Sequence, residues 1–197
     1  MKKSLLVLLI ICIVSGISLA NDLSPSTEQR WEFLTNSNPA APEVLDNPYG
    51  DVEAYIDVAG LATAPVWNDG IWSGTSVRFT ADIPNTNNTS PGSYKDMFVE
   101  ICFKGNLSLG LVTADGVGYE PWQREITTYG DGWTLISDHY FIEPNPTSEM
   151  VCYALGDYLG NEQQLNFVEI NTICVPEPVT ICMLGLGGIL ISRRKRQ

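Results

Sequence analysis

Few residues in this chain have the types and spacing for chemistry. His139 is the single histidine, in Ile136-Ser137-Asp138-His139-Tyr140-Phe141, and histidine is the side chain that ordinarily titrates near neutrality. No G-x-S-x-G elbow supplies a serine nucleophile for it, and no H-E-x-x-H, P-loop or EF-hand loop is present. A Ser-His-Asp hydrolase is therefore not expected, and no residue is assigned a catalytic role. Acids are abundant, and two carboxylates about 5–10 Å apart would make a glycosidase pair. Any acidic β-protein meets that condition by chance. The aromatics are a better lead. Trp67, Trp72, Trp122 and Trp133 lie near turns, with Asp69-Gly70, Gly118-Tyr119 and Gly130-Asp131-Gly132 nearby. Flat aromatic faces pack on the C–H patches of sugars, while Asp, Asn and Gln bond their hydroxyls. These four tryptophans are the candidate ligand-binding residues; the competing role is to close the ends of a core, as large aromatics usually do.

Five cysteines are present. Cys12 and Cys182 lie in terminal apolar runs, which leaves Cys102, Cys152 and Cys174 as disulfide candidates. In an oxidising compartment three thiols permit one disulfide and one spare. Three pairings are open, and Cys102 with Cys152 is favoured because both lie in strand-like runs. No C-x-x-C exists, so a redox or zinc motif is not expected. Asn87, Asn88 and Asn106 sit in N-x-[ST] sequons, which suggest surface placement and nothing more.

The elements that must position these residues read as strands. Val77, Phe79, Ala81 and Ile83 alternate with Ser76, Arg78, Thr80 and Asp82. Met97, Val99, Ile101 and Phe103 alternate with Phe98, Glu100, Cys102 and Lys104. A period of two gives a sheet one apolar face. Val52–Val58, Leu107–Thr113, Trp133–Ile142, Glu149–Leu155 and Leu165–Cys174 are further strands, rich in β-branched and aromatic residues. Turn signals separate them, among them Asn47-Pro48-Tyr49-Gly50, Asp115-Gly116 and Glu143-Pro144-Asn145-Pro146. One short helix is predicted around Ser26–Leu34. Seven or more short strands without strand–helix alternation predict an all-β, antiparallel β-sandwich, with a jelly roll as the first choice.

Both ends differ from this middle. Lys2 and Lys3, the apolar run Leu5–Val14 and the small-residue end Ser18-Leu19-Ala20 have the order of a cleavable export signal. The expected division is a signal peptide over 1–20, with a signal helix, a sandwich ectodomain over 21–174 and a sorting segment over 175–197. That last segment reads Val175-Pro176-Glu177-Pro178, then an apolar, glycine-containing run from Val179 to Ile191, then Arg193, Arg194, Lys195 and Arg196. The Pro-Glu-Pro triplet, apolar segment and basic terminus resemble the PEP-CTERM sorting signal. The resemblance covers about the last two dozen residues and implies processing by an exosortase near Pro176, Glu177 and Pro178. The basic cluster would hold its end in the cytoplasm. The apolar run spans 13 residues, short of the roughly 20 a membrane helix needs, so the resemblance carries the membrane assignment. The closing strands, with Leu165-Asn166-Phe167-Val168-Glu169-Ile170, also resemble those of galactose-binding-like jelly rolls. Asn166 stands there where that group often has an acid, which removes support for a shared calcium ligand.

With the ends set aside, the middle keeps five basic and 22 acidic residues, a net charge of −17 against −12 for the whole chain. Such a surface repels a phosphate backbone, so nucleic acid is excluded as a partner. It favours solubility and attracts cations, calcium among them. The expected function is a non-catalytic, exported surface or matrix protein whose sandwich binds extracellular polysaccharide. Its expected partners are the exosortase, the secretion machinery, the membrane through the C-terminal segment, and such a polymer. The alternatives are a secreted glycan hydrolase with paired carboxylates and a purely structural coat protein.

Overall fold

The computed structural model describes residues 26–58, 62–85 and 93–175. The expected signal peptide, Pro176-Glu177-Pro178, the apolar run and the basic tail lie outside those residues, as do Asn87 and Asn88. Among the described residues there are thirteen strands and no helix. They are β1 (Ser26–Trp31), β2 (Val44–Asp46), β3 (Ala54–Asp57), β4 (Val66–Asn68), β5 (Ile71–Gly74), β6 (Ser76–Pro84), β7 (Tyr94–Lys104), β8 (Leu107–Ala114), β9 (Val117–Tyr119), β10 (Gln123–Thr128), β11 (Thr134–Ile142), β12 (Ser148–Gly156) and β13 (Gln163–Val175).

The larger sheet runs β10-β11-β7-β13-β1-β2, with β5 also on β13 and β4 on β5; the smaller runs β3-β6-β12-β8-β9. Every strand pairing is antiparallel. The apolar residues of the two period-two runs all point inward: Val77, Phe79, Ala81 and Ile83 from β6, and Met97, Val99, Ile101 and Phe103 from β7, are buried in one core. That core fills the space between the sheets, which makes the all-β sandwich the observed architecture. Trp31 and Phe79 meet edge to face across it, with centroids 5.2 Å apart. Truncating Phe79 to alanine would cost about 3–5 kcal/mol.

The segment predicted as a short helix is β1 instead. Thr27, Gln29 and Trp31 are buried while Ser26 and Glu28 are exposed. Two of the three inward residues are polar, which hides the period of two. Thr27 is satisfied inside by the Thr172 hydroxyl at 2.7 Å. Two hairpins behave as their sequences require: Asp69-Gly70 joins β4 to β5 and Asp115-Gly116 joins β8 to β9. All four residues have φ between 48° and 81°, the tight turn whose twist matches paired strands.

Candidate functional site

The outer face of the larger sheet is where aromatic and polar side chains meet. On β11, Ile136, Asp138, Tyr140 and Ile142 point inward, so Ser137, His139 and Phe141 point outward by the pleat. On β7 the same parity presents Asp96, Phe98 and Glu100. The register sets His139 opposite Phe98, Ser137 opposite Glu100 and Phe141 opposite Asp96. β10 places Gln123 beside His139 and Glu125 beside Ser137.

The result is a short aromatic row. His139 stacks on Phe98 with centroids 4.2 Å apart and an interplanar angle of 12°. The Trp122 ring meets His139 edge-on at 5.2 Å, and its backbone N–H donates to the His139 carbonyl at 2.7 Å. His139 Nε2 lies 3.0 Å from Asp96 Oδ1, which fixes the imidazole plane. Phe141 packs on Tyr94 at 4.7 Å one rung along. A groove of about 270 Å³ runs beside the row, and its lining includes Phe98, Glu100, Gln123, Glu125, Asp138 and His139. Its polar groups are pre-set: Ser137 Oγ donates to Glu100 at 3.0 Å and Gln123 Nε2 to Glu125 at 2.9 Å. Trp122 is 72% exposed, so its face is open to a ligand.

The four candidate tryptophans separate. Trp72 is buried in the core. Trp67, opposite it in the β4–β5 hairpin, packs on the same core and donates its indole N–H to the Phe33 carbonyl at 2.8 Å. Trp72 is enclosed and presents no ligand face, which corrects its assignment, while Trp67 is half-buried against the core wall. Trp133 is half-buried beneath the Lys104 ammonium, 4.9 Å from its ring centroid. Trp122 alone of the four joins the aromatic row. Phe98, Tyr94 and Phe141 were not singled out from the sequence, although the outward half of the β7 alternation already held Phe98.

The disulfide expectation also changes. Cys102, Cys152 and Cys174 are free thiols. Ile101 and Phe103 point inward, so Cys102 points outward from the larger sheet; Val151 and Tyr153 point inward, so Cys152 points outward from the smaller one. The whole sandwich lies between two sulfurs whose Cβ atoms would have to approach within about 4 Å. Cys174 faces the interior at one end. Asn166 sits at a bulge in β13 between Leu165 and Phe167, beside the Cys102 thiol. Among the described residues no group of three or more histidines, cysteines and carboxylates is placed to hold a metal ion.

Two polar clusters lie inside the sandwich. In one, Arg124 grips Asp138 with two bonds of 2.6 Å. Tyr153 donates to the same carboxylate at 2.6 Å, and the Tyr140 hydroxyl lies 2.9 Å from that of Tyr153. The bonds to Asp138 hold Arg124 above the ordinary arginine range. Burial pushes both tyrosines up. In the other cluster, Lys95 donates to Glu149 at 2.6 Å, both side chains being fully buried. Asp138 and Glu149 are the buried acids among the described residues, and each faces a cation on the inner side of its sheet. All five cations of the middle are engaged: Arg30 with Glu32 and Glu169, Arg78 with Asp57, Lys95 with Glu149, Arg124 with Asp138, and Lys104 on Trp133.

No family model and no curated protein matches the chain. A solved structure described under pH-induced modulation of Streptococcus parasanguinis adhesion by Fap1 fimbriae is similar over 67% of this chain at 13% identity and a TM-score of 0.27. The chain spans 64% of that protein's length, and a likeness this weak carries no argument.

Proposed function

We propose that this chain is an exported surface or matrix protein whose sandwich binds extracellular polysaccharide, without catalysis, on the outer face of β10, β11 and β7. The observation that carries the reading is the outward-facing row of Trp122, His139 and Phe98, exposed at Trp122 and Phe98, beside Asp96, Gln123 and Glu125. Stacked rings offer a sugar its apolar patches a platform, and the carboxylates and amide beside them accept and donate to hydroxyls. With every cation of the middle engaged, the face keeps only negative charge in excess, which favours a neutral or cationic polymer over an anionic one. Hydrolysis is the weaker reading. A general acid needs a carboxyl free to give a proton to substrate, and Asp138, the buried acid that lines the groove, is tied instead to Arg124 by two bonds of 2.6 Å.

The export signal, exosortase processing at Pro176-Glu177-Pro178 and anchoring through the basic tail belong to the same reading. It is supported by the order of Pro176-Glu177-Pro178, the apolar run and the basic cluster Arg193, Arg194, Lys195 and Arg196 in the sequence. The jelly-roll form of the sandwich is supported by the chain passing between sheets repeatedly, at β2–β3, β3–β4, β5–β6, β6–β7, β7–β8, β9–β10, β11–β12 and β12–β13.

The test is retention of the purified protein on insoluble neutral polysaccharides such as cellulose and chitin, with calcium and then with chelator. We expect retention that Trp122→Ala and Phe98→Ala abolish while the unfolding free energy stays within about 0.5 kcal/mol for the exposed tryptophan. No retention on any polymer, with unchanged tryptophan emission, would leave a structural coat protein as the better account. Loss on chelation alone would add a calcium site.

A further inference from the structure

The Lys95 cluster has a composition that stability does not require. Lys95 on β7 and Glu149 on β12 are both fully buried, with 2.6 Å between Nζ and Oε2. The other oxygen of Glu149 accepts from Asn85 Nδ2 at 3.1 Å. Asn85 follows β6 and is buried. Its amide orientation is fixed, because the nitrogen also faces Asn145 Oδ1 at 2.7 Å and the Pro146 carbonyl at 2.8 Å. The amide oxygen is turned to Cys174, whose thiol donates to it at 3.2 Å. One carboxylate therefore holds an amine on one corner and a primary amide on the other, in a site sealed from water.

Two opposite charges are expensive to bury. Passing one proton from Lys95 to Glu149 removes both charges and leaves an amine with a free lone pair. Burial acts in that direction, pushing the Glu149 carboxyl up from the ordinary range while the Lys95 ammonium pulls it back. The neighbouring amide is prepared as an acceptor. The Cys174 thiol polarises its carbonyl, and its nitrogen lies against the carboxyl that would carry a proton. Fixed proximity of this kind replaces the entropy of an encounter, and exclusion of water protects the product from hydrolysis.

We propose that Lys95 and Asn85 join in an intramolecular amide bond, with Glu149 as the proton carrier. The Lys95 nitrogen attacks Asn85 Cγ, so the Nζ–Cγ bond forms and the Cγ–Nδ2 bond breaks. Glu149 takes a proton from Nζ and delivers one to Nδ2, which leaves as ammonia. The amine and the primary amide thus become a secondary amide plus ammonia, with no change in oxidation state and no co-reactant. The bond ties β7 of the larger sheet to the end of β6 in the smaller one. It is independent of the polysaccharide reading, since the cluster lies inside the sandwich and the aromatic row outside.

Intact-mass spectrometry of the purified protein, followed by peptide mapping, decides it. The expected result is a mass short by one ammonia and a branched peptide joining the segments of Lys95 and Asn85. Glu149→Gln should keep the full mass, or approach the reduced mass at least tenfold more slowly. Wild-type protein at full mass after prolonged incubation overturns the proposal, whatever the variants do. So does an ammonia loss found in a linear peptide, as a cyclic imide at an asparagine would give. A branch to Asn145 overturns the choice of Asn85.

Discussion

The two buried polar clusters face the same space and are separated by four positions of β12, from Glu149 to Tyr153, yet they are built differently. The Arg124 cluster uses a permanent cation in a planar fork and two hydroxyls that close on one carboxylate. A third of the Arg124 side chain is exposed, so water reaches one side. The Lys95 cluster is sealed, with a primary amine as its basic group and amides in place of hydroxyls. The first is a clasp between β10, β11 and β12. The second combines an amine, a carboxyl and an amide, and so has reactive groups that the first lacks. Burial alone does not separate a structural cluster from a reactive one; the proton inventory does.

The largest effect should come from the sealed pair. Lys95→Met removes the amine that joins Asn85 and leaves Glu149 buried without a cation; it should cost about 3–5 kcal/mol in denaturant unfolding, and Lys95→Met with Glu149→Leu should recover only the part that belongs to the stranded carboxyl. A single substitution as mild as the double one would contradict the burial. Arg124→Ala should cost less, about 3 kcal/mol, because water can reach the stranded Asp138. A larger loss there would reverse the ranking. Third is pH. Tyr140 and Tyr153 keep their protons in the fold beyond about pH 10, where an unfolded tyrosine loses them. The folded state then binds more protons, so stability falls as pH rises through that point. Tyr153→Phe should flatten the slope of unfolding midpoint against pH above about 10, at a cost of about 1 kcal/mol near neutrality. The smallest effect concerns the thiols. Adding reductant should leave the unfolding free energy unchanged within about 0.5 kcal/mol, and a clear drop would mean a disulfide after all.

Much of this was legible in advance, in particular places. The alternation through β6 and β7 gave the core correctly because both runs have apolar inward residues. It failed at β1, whose inward Thr27 and Gln29 are polar, and at β10, where all six residues are exposed and no alternation exists to read. The separation of Cys102 from Cys152 was present in the parity of their strands, had the faces been compared. The Lys95 cluster was readable in the same way. Lys95 shares parity with Met97, Val99 and Ile101, Glu149 with Val151 and Tyr153, and Cys174 with Val168 and Ile170 only once the bulge at Asn166 is passed. Charged residues are ordinarily taken for surface, and that habit conceals them. What parity alone does not supply is which of these inward groups lie together, since the pairing of the sheets sets that.

The position of β13 has a mechanical consequence. It is flanked by β7 along its length and by β1 from Val168 to Ile173. A force applied at Val175 and directed along the strand does not peel one rung at a time from an edge. It loads the rungs on both sides together, in shear, and the strand can slip only by surrendering them in concert. The force needed to draw the strand out along its axis therefore scales with the number of rungs on both sides, not with the strength of any one of them.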